Sequence, residues 1–317
     1  MNPNSEKKFM RDVFIGGIYE KMKTDNNIFF LSADFGAPAL DKIRNDFGDR
    51  FINVGIAEQN LINIATGLAL EGFVVYAYAI STFITMRAYE QIRLNLSIST
   101  HIKPINVNLI GVGAGISYDV AGPTHHCLED LSIMRLLPNL EVFSPSDWKL
   151  VEKFVDYSID NKTPKYFRLD SKALPNIYDD SNNINLENGF HELQKGEKVC
   201  LVSTGFMTHR ALKVASELKN IGVVDVFKLK PVNEKALAEV LKKYDYIISI
   251  EEGFINNGGL DSLILKIINE NQLAVKFKNL GVDDKHIFDL GDRDYLHKIN
   301  NIDEEAIIKT ANEYLNA

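Results

Sequence analysis

Length, composition and charge are those of an ordinary globular protein and exclude several other classes. The chain has 317 residues, of which 45% are hydrophobic and 25% charged, so it is long enough for two domains with separate cores. Its formal net charge of -8 argues against a nucleic-acid partner, because phosphate backbones are bound by basic surfaces. Cys127 and Cys200 are too few for a disulfide framework, and no C-x-x-C pair is present for zinc.

No targeting or membrane signal is recognisable in the sequence. The first residues, MNPNSEKKFMRD, are polar and lack the apolar centre of a signal peptide. No apolar run reaches the length of about 18 residues that a membrane-spanning helix needs. With so few cysteines, we expect a protein of the reducing cytoplasm that has no membrane partner.

Helical and strand-like periodicities alternate along the first half of the chain. In chain order they predict a helix, two strands, a helix, a strand, a helix, a strand and a last helix, at 8–22, 28–32, 51–54, 58–70, 73–79, 83–97, 105–110 and from 145–148 onward. Such alternation is typical of a parallel sheet that helices cover on both faces.

The segment 170–189 interrupts this alternation. It contains Pro175 and a run of Asp, Ser and Asn at 179–183, so we interpret it as a linker. Strand and helix patterns then resume at 198–204, 208–219, 223–229, 231–243 and 246–250, and a further helix is predicted after the glycine-rich segment 253–259. We therefore predict an α/β fold with two domains, 1–180 and 181–317, each built on a parallel or mostly parallel sheet.

Two short patterns imitate known sites. The glycine-rich segment 111–115 follows a predicted strand, but it lacks the last glycine of a dinucleotide-binding loop and no helix follows at once. His125, His126 and Cys127 are adjacent, and adjacent side chains rarely point the same way, so the spaced ligands of a zinc site are missing. We predict no metal site on this chain.

The informative residues form an ordered series of motifs. They are Val54-Gly-Ile-Ala-Glu58-Gln-Asn60, Ser81-Thr-Phe83-Ile-Thr-Met-Arg87-Ala-Tyr89, Gly122-Pro-Thr-His125 and Leu137-Pro-Asn-Leu-Glu-Val-Phe-Ser-Pro145. In this order and spacing they resemble the pyrimidine-binding domain of the transketolase family. The region after the linker resembles that family's C-terminal domain, in Gly205-Phe-Met-Thr-His-Arg-Ala-Leu, Ile250-Glu-Glu-Gly-Phe and Phe288-Asp-Leu-Gly-Asp. The resemblance covers nearly the whole chain, and 1-deoxyxylulose-5-phosphate synthase and the β subunits of 2-oxoacid dehydrogenases share the Glu motif.

One motif of the family is missing. The Gly-Asp-Gly…Asn sequence, which holds the metal and the diphosphate of thiamine diphosphate, belongs to a separate N-terminal domain of the family and does not occur here. The chain thus resembles the C-terminal half of a split transketolase. The resemblance implies that this chain holds the aminopyrimidine end of the cofactor, and that an N-terminal-half partner subunit holds Mg²⁺ or Ca²⁺ in an α2β2 assembly.

Four residues are implied to bind the cofactor. Glu58 matches the family's catalytic carboxylate, which hydrogen-bonds the aminopyrimidine ring and promotes proton transfer within the cofactor. Phe83 matches the aromatic residue that stacks on this ring, although an aromatic at helical spacing is often part of the core. Tyr89 matches a second aromatic of the pocket. Asp34 matches an acidic residue near the other cofactor ring, and a turn residue after a strand is the alternative.

Four residues are implied to contact a sugar or sugar-phosphate substrate. Arg11 and Arg168 match phosphate-binding arginines, a role that suits the guanidinium fork, although both are equally compatible with ordinary surface charges. His125 matches a catalytic histidine in the substrate channel, with a buried structural histidine as the alternative. His126 is a candidate additional substrate contact. Ala121 departs from the family, where an Asp contacts a substrate hydroxyl, so we expect the substrates to differ from the usual pentose phosphates.

The predicted function is that of one subunit of a heteromeric, thiamine diphosphate-dependent transketolase-like enzyme. It transfers a two-carbon ketol unit between sugars or sugar phosphates. Two alternatives remain open from the sequence: the β subunit of a 2-oxoacid dehydrogenase, and a non-catalytic module that stabilises another thiamine enzyme. The Gly-Pro-Thr-His segment argues against the first, and the presence of Glu58, Phe83 and His125 argues against the second.

Overall fold

The computed structural model describes residues 6–316. Its elements confirm the α/β fold predicted from the sequence, in two halves joined by the segment after Pro175. The first half contains β1 (Lys7–Phe9), α1 (Met10–Met22), β2 (Ile28–Ser32), α2 (Pro38–Asp46), β3 (Phe51–Asn53), α3 (Glu58–Leu70), β4 (Val74–Ile80), α4 (Tyr89–Gln91), β5 (Asn106–Val112), α5 (Asp130–Leu136), β6 (Glu141–Phe143), α6 (Trp148–Asp160), β7 (Lys165–Leu169) and β8 (Ala173–Pro175). The second half contains β9 (Phe190–Gln194), β10 (Val199–Ser203), α7 (Met207–Glu217), β11 (Ile221–Val226), β12 (Lys228–Lys230), α8 (Glu234–Leu241), β13 (Tyr246–Phe254), α9 (Leu260–Glu270), β14 (Lys276–Val282), α10 (Arg293–Ile299) and α11 (Glu304–Leu315).

The first half is built on a seven-stranded sheet in the order β12-β6-β7-β5-β4-β2-β3. Every neighbouring pair is parallel except β12 and β6, which are antiparallel. The strands β5, β4, β2 and β3 are consecutive neighbours, and their carboxyl ends therefore lie side by side at one edge of the sheet. The short strands β1 and β8 form a separate antiparallel pair.

The second half is built on a five-stranded sheet in the order β14-β13-β10-β11-β9, in which only β9 is antiparallel to its neighbour. The single strand predicted over 223–229 is in fact two strands. After β11 ends, the chain leaves the second sheet, and β12 pairs with β6 of the first. A strand from the second half thus completes the first sheet, and the domain boundary near residue 180 stays a prediction.

The two faces of the first sheet have different cores. Large aromatic side chains fill the face under α1 and α6, where Phe14, Phe143 and Phe167 are fully buried and in ring contact. Aliphatic side chains fill the face under α3 and α5, and that core continues into the second half around α8 and α9. Fully burying one such side chain stabilises a fold by about 1.5–3 kcal/mol, so this continuity ties the two halves together. Among the described residues, no helix combines the length and apolarity needed to cross a membrane.

The predicted helix over 83–97 is irregular. Its hydrogen bonding is π-helical at Phe83–Arg87 and again at Ile92–Ile98, on either side of α4. π-helical turns are rare and occur frequently at functional sites. The first of these turns closely follows β4 and carries the residues of the second sequence motif.

Buried ion pairs connect the two halves, and we call Asp130, Arg168, Asp170, Glu252 and Arg293 the junction cluster. The guanidinium of Arg293 donates to Glu252 at 2.6 and 2.7 Å and pairs with Asp170 at 2.7 Å. Burial opposes ionisation of Glu252, yet the charge of Arg293 holds the pKa of this carboxyl well below its usual range. The cluster thus fixes the second half against the first through paired charges.

Candidate active site

Parallel strands bring the main residues predicted in the first half to one edge of the sheet. Asp34 follows β2, Glu58 begins the helix after β3, Phe83 follows β4, and His125 lies in the long loop after β5. Open parallel sheets bind ligands beyond the carboxyl ends of their strands. We call Asp34, Glu58, Phe83, Arg87 and His125 the carboxyl-edge site.

Glu58 is the first residue of α3 and is only 5% exposed. Gly55 has a φ of 74°, a left-handed conformation that glycine adopts without strain, and it turns the chain from β3 towards α3. Arg87 Nη1 donates to both carboxylate oxygens of Glu58, at 3.1 and 3.2 Å. This pairing and the positive end of the α3 dipole compensate a carboxylate that is nearly removed from water.

Arg87 also covers the ring of Phe83. The guanidinium carbon lies 4.2 Å from the ring centroid, a cation–π contact, while half of the Arg87 side chain stays exposed. The backbone carbonyl of Arg87 accepts a bond from Gln59 Nε2 at 3.1 Å, which joins the π-helical turn to α3. An open pocket of about 520 Å³ lies here, lined by Ile56, Ala57, Glu58, Gln59, Asn60 and Arg87.

His125 lies on the other side of Phe83. Their ring centroids are 5.4 Å apart in an edge-on arrangement, and the Tyr118 ring also contacts the imidazole, at 6.0 Å. Gly113 permits this position of Tyr118, because a Cβ at Gly113 would lie 2.3 Å from the Tyr118 ring. His125 Nδ1 is 3.0 Å from the Thr124 hydroxyl, and the imidazole is only partly buried. The histidine is therefore held in place while part of its ring stays accessible.

Asp34 is exposed and has a φ of 51°, a backbone conformation that few residues adopt without strain. Asn53, the last residue of β3, holds it: the amide Nδ2 donates to Asp34 Oδ1 at 3.0 Å. Asn53 Oδ1 in turn accepts from the backbone N–H groups of Asp34 and Gly55. One amide side chain therefore fixes both the Asp34 turn and the loop that leads to Glu58.

Arg11 lies in α1 and is mostly buried. Its Nε donates to Asp12 Oδ1 at 2.9 Å, and its charge lies close to the hydroxyl of Tyr78, whose pKa burial raises. Tyr118 also lies near this guanidinium, and Tyr118 contacts His125. Tyr118 therefore connects Arg11 to the carboxyl-edge site.

Two of the implied site residues point into the protein. The Tyr89 hydroxyl donates to the backbone carbonyl of Ile133 at 3.0 Å, so it anchors the helical segment to α5. His126 is 3% exposed, and its Nε2 lies 3.1 Å from the backbone oxygen of Asp119. Both contacts are made to backbone oxygens inside the protein, and they favour a structural role for Tyr89 and His126. The neighbouring His125, in contrast, is partly exposed.

Arg168 belongs to the junction cluster, and its contact with a substrate phosphate stays a prediction. Its side chain is fully packed: Nε donates to Asp130 at 2.8 Å, and Nη2 donates to the backbone carbonyls of Cys127 and Glu252. The Tyr166 hydroxyl occupies the same Asp130 carboxylate, at 2.7 Å. Through the Nη2 bond to the Glu252 carbonyl, Arg168 connects the two halves.

Ala121 is exposed in the loop between Tyr118 and His125. The nearby Asp119 does not take the place of a carboxylate there. Its side chain is buried and bonded to Lys172 Nζ at 2.9 Å and to the backbone N–H of Arg293 at 3.1 Å. The loop therefore presents the methyl group of Ala121 to solvent at this position.

Comparison with known proteins identifies the family. Residues 6–176 match the model of the transketolase pyrimidine-binding domain, and residues 190–307 match that of the transketolase C-terminal domain. The chain belongs to the transketolase family.

Named relatives include single transketolase subunits of similar length. One subunit of the apulose-4-phosphate transketolase of Actinobacillus succinogenes is 35% identical, over 84% of this chain and 85% of that protein. The 6-deoxy-6-sulfo-D-fructose transketolase subunit SqwH of Clostridium sp. is 29% identical, over 97% and 95%. The 1-deoxy-D-xylulose-5-phosphate synthase of Aquifex aeolicus is 32% identical over 96% of this chain, which spans only 48% of that protein.

A solved structure of the family has the same fold. The structure described as "Split gene transketolase, inactive beta4 tetramer" superposes with a TM-score of 0.85 and 26% identity, covering 98% of this chain and 99% of that one. Fold, family and subunit type, as predicted from the sequence, are thereby confirmed.

Membership of the transketolase family implies dependence on thiamine diphosphate, and one end of this cofactor fits the residues present. A flat, charged group already lies on the Phe83 ring and bonds the Glu58 carboxylate, so the space between them accepts a planar ring with a hydrogen-bond donor. In residues 6–316, no cluster of three His, Cys, Asp or Glu side chains has the arrangement of a metal site.

Arg87, Asn53 and Tyr118 were missed as site residues by sequence reasoning. Arg87 lies in the quoted motif, four positions after Phe83, and that helical spacing was the available signal for a shared face. Asn53 ends a strand, as turn-forming residues do. Tyr118 is not recognisable from the sequence alone, because its contact depends on the close approach to Gly113.

Proposed function

We propose that this chain is the aminopyrimidine-binding subunit of a two-subunit transketolase that moves a two-carbon ketol unit between sugars. The observation that carries the proposal is the pair formed by the nearly buried Glu58 and the Phe83 ring at the carboxyl edge of a parallel sheet. The sequence that contains this pair lacks the family's metal-binding motif. The subunit names of the A. succinogenes and Clostridium relatives support it.

Glu58, Phe83 and His125 of the carboxyl-edge site have distinct tasks in this proposal. When bound, thiamine diphosphate supplies the nucleophilic carbon that accepts the ketol unit. Glu58 holds a proton at a ring nitrogen of the aminopyrimidine, and its low exposure keeps water away from this bond. Phe83 supports the flat ring by stacking. Asp34, fixed by Asn53, lies at the same edge.

The substrate tasks go to His125 and Arg11. His125 is partly exposed beside Phe83, where it can bind a sugar hydroxyl or move a proton from it. Arg11 supplies a positive charge that acts on Tyr118, a neighbour of His125, and it suits an anionic end of a sugar. Ala121 removes one acceptor for a sugar hydroxyl, and this favours an anionic ketose that lacks or replaces that group.

The partner subunit contributes the rest of the active site. We propose that it holds the diphosphate through Mg²⁺ or Ca²⁺, and that two copies of each subunit form an α2β2 assembly in the cytoplasm. A related structure is described as an inactive β4 tetramer, which agrees with a β subunit that needs a partner.

The test is reconstitution. This chain is co-expressed with an N-terminal-half partner that carries Gly-Asp-Gly…Asn, and ketol transfer between sugar phosphates is assayed with thiamine diphosphate and Mg²⁺. We expect turnover from the complex and none from either subunit alone. Full activity of this chain alone would contradict the proposal, and decarboxylation of a 2-oxoacid without ketol transfer would assign the chain to the dehydrogenase β subunits.

A further inference from the structure

Arg87 has two contacts that the proposed reaction does not use. It pairs with Glu58 and covers Phe83, the two residues between which the aminopyrimidine is expected to lie. A guanidinium is flat, carries several N–H donors and stacks on aromatic rings. These are the properties that an aminopyrimidine ring would need in order to contact the same two residues.

We infer that Arg87 is a positioning residue that substitutes for the aminopyrimidine in the cofactor-free subunit and must swing away before the cofactor binds. The inference rests on the proposed function, since it assumes that Glu58 and Phe83 receive the cofactor ring.

Electrostatics explain why such a substitute is needed. Glu58 is 5% exposed, and a carboxylate at that depth costs free energy unless it is paired. Its position as the first residue of α3 offers it only the partial charge of the helix dipole. Arg87 supplies a full positive charge while the cofactor is absent.

Geometry explains why the substitute can leave. Half of the Arg87 side chain is exposed, so a route into solvent is open, and the pocket beside it has a volume of about 520 Å³. Only Nη1 of the guanidinium bonds Glu58, and no other side chain of residues 6–316 accepts a hydrogen bond from Arg87. The contact with Phe83 is the second restraint, and a bound aromatic ring replaces it.

The chain offers a matched control for Arg87. Arg93 lies in the next π-helical turn, is also 50% exposed and pairs with Glu90 at 3.8 Å, on the same helical segment but without a contact to the carboxyl-edge site. Arg87→Gln and Arg93→Gln therefore remove the same charge from the same segment.

The first measurement is calorimetric titration of the assembled two-subunit complex with thiamine diphosphate in excess Mg²⁺. We expect Arg87→Gln to bind the cofactor about fivefold more tightly than the wild type. The cofactor no longer has to displace an ion pair, and such a pair stabilises the free subunit by up to about 1 kcal/mol. Arg93→Gln should match the wild type. Unchanged or weaker binding by Arg87→Gln overturns the inference.

The second measurement uses this chain without cofactor or partner. Carbodiimide coupling of glycinamide to carboxyl groups is followed at Glu58 by peptide mass spectrometry. Coupling at Glu58 should be about tenfold faster in Arg87→Gln than in Arg93→Gln, because Arg87 no longer shields the carboxylate. Equal coupling rates at Glu58 in the two folded variants overturn the inference, because Glu58 would then be protected without Arg87.

Wild-type protein provides an independent check that no folding defect can affect. Raising the salt concentration screens the Arg87–Glu58 pair, so coupling at Glu58 should accelerate relative to coupling at the exposed Glu90. A constant ratio overturns the inference. If neither the wild-type complex nor its variants bind the cofactor, both the inference and the assigned cofactor site are wrong. If the complex binds the cofactor but does not transfer a ketol unit, only the proposed function is contradicted.

Discussion

Two arginine–carboxylate pairs in this chain have similar chemistry and opposite surroundings. In the junction cluster, Arg168 and Asp130 are 2% and 0% exposed, and further donors and acceptors around them are satisfied within the chain. At the carboxyl-edge site, Arg87 is half exposed and only Glu58 is buried. The first pair is complete, and Arg168 also bonds the second half through the Glu252 carbonyl. The second pair leaves a position that another molecule can take.

This contrast separates structural charges from functional ones better than residue type does. Arg168 and Arg87 both match or lie in motifs of the family, and both bond a carboxylate at about 3 Å. The two pairs differ in their access to solvent. Water reaches the half-exposed Arg87 side chain, whereas both Arg168 and Asp130 are buried. The strongest test of the contrast is to remove one member of each pair and ask whether stability or activity changes.

The largest effect is expected at Glu58. Glu58→Gln should lower ketol transfer by the assembled complex by about 10³-fold, since an amide cannot exchange a proton with the aminopyrimidine. Free energy of unfolding should change little, because Arg87 then turns to solvent. Glu90→Gln, which alters an exposed carboxylate of the next turn, is the control, and wild-type turnover by Glu58→Gln would refute its catalytic role.

Arg168→Met should act on stability. The change leaves Asp130 buried without its charged partner, so we expect the free energy of unfolding to fall by about 3 kcal/mol in denaturant titrations. Arg168→Lys keeps the charge and should lose less. A loss below about 1 kcal/mol, together with a raised KM for a phosphorylated sugar, would support the substrate role predicted for Arg168.

These two expectations show how much the sequence could predict. The alternation of strands and helices predicts parallel sheets, and parallel strands necessarily bring Glu58, Phe83 and His125 to one edge. The burial of Arg168 could not be predicted, because its partner Asp130 is 38 positions away and their contact depends on tertiary packing. The spacing of Phe83 and Arg87 indicates a shared helical face, but the π-helical hydrogen bonding of this turn could not be predicted from it.

Asp225 tests the junction through pH. It lies in β11 and accepts hydroxyl bonds from Ser146 and Tyr178 of the first half and from Thr208 of the second. Burial raises the pKa of Asp225 to about 7. Between about pH 4 and pH 7 the folded protein therefore holds a proton that the unfolded chain has lost, so this group's contribution to stability is full below pH 4 and declines as pH rises to 7.

Asp225→Asn should remove this decline. We expect the stability difference between the variant and the wild type to shift by roughly 4 kcal/mol in favour of the variant between pH 4 and pH 8, measured by denaturant unfolding. Asp245→Asn changes an exposed carboxylate after α8 and should leave the pH dependence of the wild type intact. If the free energy of unfolding of Asp225→Asn changes with pH in parallel with that of the wild type, Asp225 is excluded as the titrating group.

The smallest effect compares the adjacent histidines. His125→Ala should lower kcat/KM about tenfold with little loss of stability, because one contact to the sugar is removed. His126→Ala should instead lower stability and leave kcat/KM of the remaining folded complex unchanged, since the bond to the Asp119 carbonyl lies inside the protein. The reverse outcome would move the substrate contact to His126.

The strand β12 has a consequence for how this chain can be divided. It follows the linker in sequence, yet it forms the outer strand of the first sheet against Glu141–Phe143. A first half produced alone would expose β6 as an open strand edge, with unpaired backbone groups that recruit other chains and cause aggregation. Proteolytic nicking in the 179–185 segment should therefore leave a non-covalent pair of fragments, and gene fission at this point would yield two products that fold only together.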